Sequence, residues 1–375
     1  MKLSEPNILK LRLHKILLDR KIQPVRVMVT GDWHISPIIS EKQLNYLKDA
    51  IVESDPDIII LQGDLIDSPI ELRRETSLKK LVKELKLCAA TAPTVLVLGG
   101  HDYVTPSKPP KIMLETSIRL WKKVCKRCGV KLLLNEWFEM PGLRIFGSFQ
   151  DPRCMLKKNR KGELTYWDSP AGFAKNLKDI EKKMTEKLKK DSDYSGITWF
   201  AAHAPLFNNE VLEYLTPFDI ASFGHMHGGI VPRGLDEIFA KFDLHFGLIS
   251  PNRTPFPRRA RGVMPISETT MTVINPGMIA THFCMPKLIQ NMNFIKAAEV
   301  SVVEVEPMGY EEAEQKEILK EIEAVKEEKS TETAKIKMAE SPKKTEKSKK
   351  EKRPKKNKKS RRRGESVESN LGDFF

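Results

Sequence analysis

Five short clusters of ionisable residues punctuate the first two-thirds of this 375-residue chain: Asp32-x-His34, Gly63-Asp64-x-x-Asp67, Gly100-His101-Asp102, a lone His203, and Gly224-His225-x-His227. Carboxylates and imidazoles are hard-to-borderline donors that suit Mn²⁺, Fe²⁺ or Zn²⁺. One aspartate between two such ions can bridge them, and ions roughly 3.5–4 Å apart can clamp the attacking and leaving oxygens of a phosphoryl group. A water on such an ion becomes a nucleophile at neutral pH, and a nearby imidazole can protonate the departing alkoxide. Any one His or Asp at a strand end is ordinarily a cap or turn residue. Five clusters in succession, each closing an apolar run, have no such simple account.

The elements that must position these groups alternate in type. Residues 25–30, 57–62 and 94–98 are short apolar runs that stop at Gly31-Asp32, Gly63-Asp64 and Gly99-Gly100-His101-Asp102, with helical stretches over 41–52 and 72–90 between them. This order predicts parallel strands joined by right-handed crossovers. In open sheets of that kind, ligand chemistry gathers at the carboxyl ends of the strands. Helices are expected over 117–128 and 170–190. Strands are expected near 131–134, 143–148, 197–202, 219–223, 270–275 and 300–306, with a polar loop at 150–166. Residues 4–20, with Leu9, Leu13, Ile16 and Leu17 behind Ser4 and Pro6, read as an amphipathic helix within an N-terminal extension of residues 1–24, and His14 as one of its exposed positions.

Composition narrows the class. With 40% hydrophobic residues the chain is not disordered throughout. No apolar run approaches the roughly 18–20 residues a membrane span requires, and charges throughout 8–18 argue against a secretory leader. Cys88, Cys125, Cys128, Cys154 and Cys284 are odd in number and irregularly spaced, which fits reduced thiols and a cytoplasmic setting. Cys125-x-x-Cys128 has no second pair at zinc-finger spacing and reads as structural, as does Trp33 as a packed aromatic. The net charge is +14, but residues 341–363 hold 14 Lys and Arg against two Glu. The other 352 residues are therefore nearly neutral, at +2.

The clusters resemble the D-x-H, GD-x-x-D, GNH-D, lone-His and GH-x-H motifs of the calcineurin-like metallophosphoesterases. The resemblance implies an α/β (α+β) four-layer fold: a β-sandwich flanked by helices, over a domain of residues 25–308. It implies two divalent ions (Mn, Fe or Zn), the first held by Asp32, His34, Asp64 and His227, the second by Asp64, His203 and His225. His101 would be the catalytic acid, Asp102 would orient it, and Asp67 would support the site. One departure stands out: the family's Asn in GNH-D, a ligand of the second ion, is here Gly100. Glycine offers no side-chain oxygen, which leaves that ion three protein ligands: water fills the vacancy, the site holds one metal, or activity is low, and a weakened or metal-selective enzyme is favoured over a dead one. The stretches 98–103, 129–136 and 224–229 resemble the YkuE/YaeI-like phosphodiesterases, and the Mre11/SbcD nucleases share the same metal motifs.

Past the motifs, residues 309–328 read as a charged helix with an Ile318/Ile322/Val325 stripe, and residues 329–375 as a disordered basic tail. Its lysines and arginines suit a phosphate backbone or serve as a solubilising tail, and the loop carrying Arg253, Arg258, Arg259 and Arg261 fits phosphate contact and a solvated loop equally, so it decides nothing. The closing Glu368, Leu371, Phe374 and Phe375 resemble a sliding-clamp-binding box, Q-x-x-L-x-x-F-F, with Glu in place of Gln. Together these features lead to the expectation of a phosphodiester hydrolase acting on nucleic acid and tethered to a clamp. The alternatives are a phosphodiesterase or pyrophosphatase of small nucleotides or lipid-linked substrates, and a catalytically weakened metal-binding interaction module.

Overall fold

The computed structural model describes residues 10–309 apart from 38, 40, 108, 155, 167–168, 192, 230, 232–237, 239–240, 243, 251–254 and 279–298. The charged helix expected over 309–328, the basic tail, Glu368, Leu371, Phe374, Phe375, Arg253 and Cys284 lie outside those residues.

The elements follow in the order β1 (Lys10–Leu18), β2 (Val25–Thr30), α1 (Glu41–Ser54), β3 (Ile58–Leu61), α2 (Glu75–Thr91), β4 (Thr94–Leu96), α3 (Leu114–Cys128) and β5 (Lys131–Leu132). Then come β6 (Glu136–Met140), β7 (Leu143–Gly147), β8 (Leu156–Lys158), β9 (Leu164–Tyr166), α4 (Pro170–Lys190), β10 (Ile197–Ala201), α5 (Asn209–Leu215) and β11 (Ile220–Phe223). β12 (Gly262–Pro265), β13 (Met271–Ile274) and β14 (Glu299–Pro307) complete them. One sheet runs β1-β14-β2-β3-β4-β5, the other β12-β13-β11-β10-β7-β6, and β8 and β9 pair on their own. The strands that lead into the ionisable clusters, β2, β3 and β4 in one sheet and β10 and β11 in the other, pair in parallel within their sheets.

Apolar burial makes four layers. Val27, Val29, Ile58, Ile60 and Val95 of the first sheet meet Ile145, Trp199, Ala201 and Val273 of the second between the sheets. The alternate residues Met28, Ile59, Leu61 and Leu96 turn outward against Leu44, Leu47, Leu81, Leu85 and Trp121 of α1, α2 and α3. On the far side, Phe146, Phe200 and Phe223 pack with Phe173, Leu177 and Met184 of α4. Both faces of each sheet are thus covered, which is why runs such as Ile58–Leu61 are apolar at every position and buried throughout. The expected helix-flanked sandwich is what forms.

Three local expectations are corrected. The N-terminal segment is a strand where it is described: Lys10–Leu18 forms a parallel ladder with β14, from Lys10 opposite Glu299 to Leu18 opposite Pro307. Ile16 and Leu18 are buried while Leu13 (55% exposed) and Leu17 (48%) face out. That period of two is a strand's, and the ladder offered by β14 outweighs the local helical spacing. The loop expected over 150–166 contains the β8–β9 hairpin. Arg261 is buried, with its guanidinium 3.6 Å from Glu299, which Arg12 also reaches at 3.0 Å. Its charge is committed inside the fold, unlike that of exposed Arg258.

Polar bridges join the two sheets beneath the strand ends. The Gln62 amide accepts from Ser222 Oγ (2.5 Å) and donates to the Ala202 carbonyl (2.6 Å), the orientation that gives each end a partner. Trp199 Nε1 donates to the same hydroxyl at 2.7 Å. Asn275, just past β13, donates to Val29 O (2.9 Å) and Ser301 Oγ (3.0 Å) and accepts from Gly277 N (2.8 Å). Replacing Asn275 by Ala strands several buried partners, and urea unfolding of the full chain should show a loss of about 1–3 kcal/mol.

Candidate metal centre

Each cluster leaves its strand on a backbone that aims side chains at one place. Asp32 (φ 51°), His34 (φ 46°), Asp64 (φ 49°), His225 (φ 67°) and His227 (φ 45°) all lie in the left-handed region. That conformation costs about 1–3 kcal/mol per residue for non-glycines and persists only where the surroundings hold it. Here backbone pairing holds it: Asp32 N donates to Gly63 O (2.9 Å), His34 N to Asp64 O (3.0 Å) and Ile35 N to Leu65 O (2.9 Å). The loops after β2 and β3 therefore run side by side. Crowding tightens the junction further. A Cβ on Gly99 would collide with Asp64 Oδ1, and one on Gly224 would stand 2.7 Å from Asp32 Oδ2.

The two central aspartates share one arrangement. Asp32 Oδ2 accepts from His225 N (2.9 Å), and its other oxygen lies 3.8 Å from His227 Nε2. Asp64 Oδ1 accepts from His101 N (2.7 Å), and its other oxygen lies 3.1 Å from His203 Nε2. Each carboxylate is anchored by one oxygen and presents the second to an imidazole. His203 is fixed from behind, its Nδ1 donating to Gln62 O at 2.7 Å, which turns Nε2 inward. The His34 ring stacks 5.3 Å from that of His227 and meets that of His101 edge-on at 4.8 Å.

Three groups of donor atoms result, each lying within 4.8 Å of one another: Asp32 with His34 and His227, Asp64 with His203 and His225, and His34 with Asp67 and His101. All nine residues expected at the site thus gather at one end of the sandwich, Asp102 among them through its bonds to Gly99 and Asp64. The first two groups hold the residues of the two ligand sets the motifs imply, with Asp64 grouped only with His203 and His225. The donors fit divalent cations: among the described residues, Asp32 Oδ1 and His227 Nδ1 are buried without a hydrogen-bond partner in a site otherwise built of carboxylates and imidazoles.

Asp102 acts on the backbone around His101. Its Oδ2 accepts from Gly99 N (2.8 Å) and Asp64 N (2.9 Å), so it braces the turn that carries the histidine. The tight turn over Gly100–Asp102 folds the carboxylate back toward Gly99. The His101 ring is held by the Asp67 backbone, whose carbonyl accepts from Nδ1 at 2.8 Å, and the Asp67 carboxylate lies 3.6 Å from His34 Nδ1. Gln62, Gln150 and Asn275 were not singled out by sequence reasoning. They belong to no motif, and only the fold brings them beside the candidate metal donors. Trp33 is fully buried, donating to Thr30 Oγ1, and Cys125 and Cys128 are buried free thiols.

The buried carboxylates and imidazoles shift one another's basicity. Burial would lower the basicity of His203, but the charge and hydrogen bond of Asp64 outweigh it and push its pKa up to about 10. Burial would raise Asp64, yet His203, His101 and His34 hold it well below the usual carboxylate range. Burial pushes His227 down to about 4 and lowers His101. Burial, with the charge of Asp64, pushes Asp102 up to about 7.

The residues matched by the calcineurin-like phosphoesterase family model, 25–229, make up more than half of the chain. The chain belongs to this family. It is 23% identical over 237 residues to an uncharacterized metallophosphoesterase of Helicobacter pylori, covering 63% of this chain and 54% of that protein. It is 22% identical over 228 residues to one from Aquifex aeolicus (59% and 71%), and 20% identical over 281 residues to a Danio rerio transmembrane protein with a metallophosphoesterase domain (72% and 52%). The chain spans about half the length of the Helicobacter and Danio relatives. A dimetal phosphatase crystal structure from Danio rerio overlaps 68% of this chain and 89% of its own, at 12% identity and a TM-score of 0.40.

A cation entering the second group must displace the proton that His203 holds below about pH 10. Mn²⁺ binding should therefore release about one proton and tighten about tenfold per pH unit between pH 6 and 8. Calorimetry in buffers of differing ionisation enthalpy measures this, and uptake or no exchange of protons would contradict it.

Proposed function

We propose that the chain hydrolyses phosphodiester bonds with two divalent cations, the first held by Asp32, His34, Asp64 and His227 and the second by Asp64, His203 and His225. The convergence of three donor groups from loops of both sheets carries this reading. When bound, the cations would polarise a phosphoryl group and make water nucleophilic at neutral pH. The protein's own groups do the rest. Asp67 O fixes the Nδ1–H of His101, so Nε2 is the nitrogen that would give a proton to the leaving oxygen. Burial holds His101 toward its neutral form, and an arriving phosphoryl anion would favour protonation. Anchored Asp32 and Asp64 keep the pocket rigid as charge shifts.

Gly100 removes the amide that the family's motif supplies, so this reading includes a weaker second cation site. The basic segment 341–363 supports nucleic acid as the substrate class, through sequence-independent phosphate contacts. The terminal Glu368, Leu371, Phe374 and Phe375 support attachment to a sliding clamp.

The test is Mn²⁺-dependent hydrolysis of bis-p-nitrophenyl phosphate by the full chain. His101→Ala should lower kcat by about 10²–10⁴-fold, the span of general acid–base catalysis, while Mn²⁺ stays bound. Gly100→Asn should strengthen the weaker Mn²⁺ site; unchanged affinity and turnover would show that Gly100 is no handicap. Single-stranded DNA, duplex DNA and a nucleotide pyrophosphate compared side by side identify the substrate class. A preference for the pyrophosphate would overturn the nucleic-acid reading.

A further inference from the structure

Gln150 lies three residues beyond β7, where the two sheets meet at the site end of the sandwich, and it is 1% exposed. Its side-chain amide grips one peptide unit pair from both sides. Nε2 donates to the Ala204 carbonyl at 2.8 Å, and Oε1 accepts from the Ala204 amide at 2.7 Å. Ala204 directly follows His203. The backbone of Gln150 is occupied as well: its carbonyl accepts from the Tyr103 hydroxyl at 2.8 Å. Tyr103 is buried and stands two residues past His101.

One buried residue therefore ties the loop that carries the proposed acid, from the first sheet, to the loop that carries His203, from the second. Its own segment is anchored independently, with Ser148 N donating to Ala201 O (2.8 Å) and Phe149 N donating to Asn135 Oδ1 (2.8 Å). The position of His203 matters more here than in a site with a full ligand set. With Gly100 in place of Asn, the group of Asp64, His203 and His225 has no fourth side-chain donor from that turn.

We propose that Gln150 is a positioning residue for the second cation, fixing the backbone behind His203 and coupling it to the His101 loop through Tyr103. The assignment rests on the metallophosphoesterase reading above. It acts through Ala204, so its signature is metal affinity rather than contact with substrate. Ligand-supporting partners of this kind change metal affinity by about 10–100-fold when removed.

The experiment titrates Mn²⁺ into full-length wild type, Gln150→Met and Tyr103→Phe, following bound ion by electron paramagnetic resonance, and measures the thermal midpoint of each protein with and without Mn²⁺. Gln150→Met keeps the volume and deletes both amide bonds. It should weaken the lower-affinity site about 10–100-fold, leave the tighter site in place, and shrink the Mn²⁺-induced rise in midpoint. Its kcat should fall at limiting Mn²⁺ and recover at high Mn²⁺, with KM for bis-p-nitrophenyl phosphate near the wild-type value. Tyr103→Phe, the milder variant, should shift the same site in the same direction by less, and it decides the matter if Gln150→Met does not fold. A lower metal-free midpoint with unaltered weak-site affinity would overturn the assignment and leave Gln150 a packing residue. Failure of wild type to bind Mn²⁺ would instead sink the phosphoesterase reading beneath it.

Discussion

Two buried aspartates, each held by a backbone amide from a neighbouring loop, set the terms for the structure. Asp32 and Asp64 are almost completely shielded from water, where an uncompensated carboxylate is strongly disfavoured. Each gives one oxygen to a main-chain N–H, of His225 and His101 respectively, and keeps the other for imidazoles or a cation. The clamped oxygen decides where the second one points. Because the clamping amides belong to other turns of the site, placing each aspartate also places the histidine that clamps it. The site is a closed loop of mutual constraints rather than a set of separate ligands.

The sandwich makes that closure affordable in strain and in burial. Parallel strands deliver their carboxyl ends to one edge of each sheet, so β2, β3 and β4 bring Asp32, Asp64 and His101 from one side while β10 and β11 bring His203 and His225 from the other. A packed apolar layer sets the spacing of the sheets, and the polar bridges of Gln62 and Asn275 fix their register near the site. Five left-handed ligand residues would relax if those loops were released. Strain of this sort is stable only when long-range packing over-determines the backbone, and the sandwich supplies that packing.

The electrostatics follow from the same geometry. Without a cation, the protein neutralises its buried carboxylates with protons on imidazoles, most strongly on His203 beside Asp64. The cluster is thus an ion-pair network in one state and a ligand set in the other, and cation and proton compete for the same lone pairs. In the proposed two-cation reading, Gly100 would thin the ligand shell on the side of His203, which would place more weight on the backbone supports behind it. The near-neutral remainder of the chain leaves the basic segment 341–363 as its main source of net charge.

Residue type and order were enough to identify the chemistry: Asp32, His34, Asp64, Asp67, His101, His203, His225 and His227 are legible because their clusters close apolar runs in a parallel-strand pattern, while the helix-flanked layering came from the resemblance of those clusters to the calcineurin-like motifs. Local periodicity failed at 10–18, where leucines at helical spacing form a strand, because a ladder with a segment nearly three hundred residues away supplies hydrogen bonds that local propensity cannot foresee. Nor could sequence show that Asp102 accepts from Gly99 N and Asp64 N, or that Arg261 is buried against Glu299. Gln62, Gln150 and Asn275 are ordinary amides in the sequence. A motif records which atoms can bind an ion, whereas supports are defined by distance across the fold, and distance between remote segments exists only once the two sheets have packed.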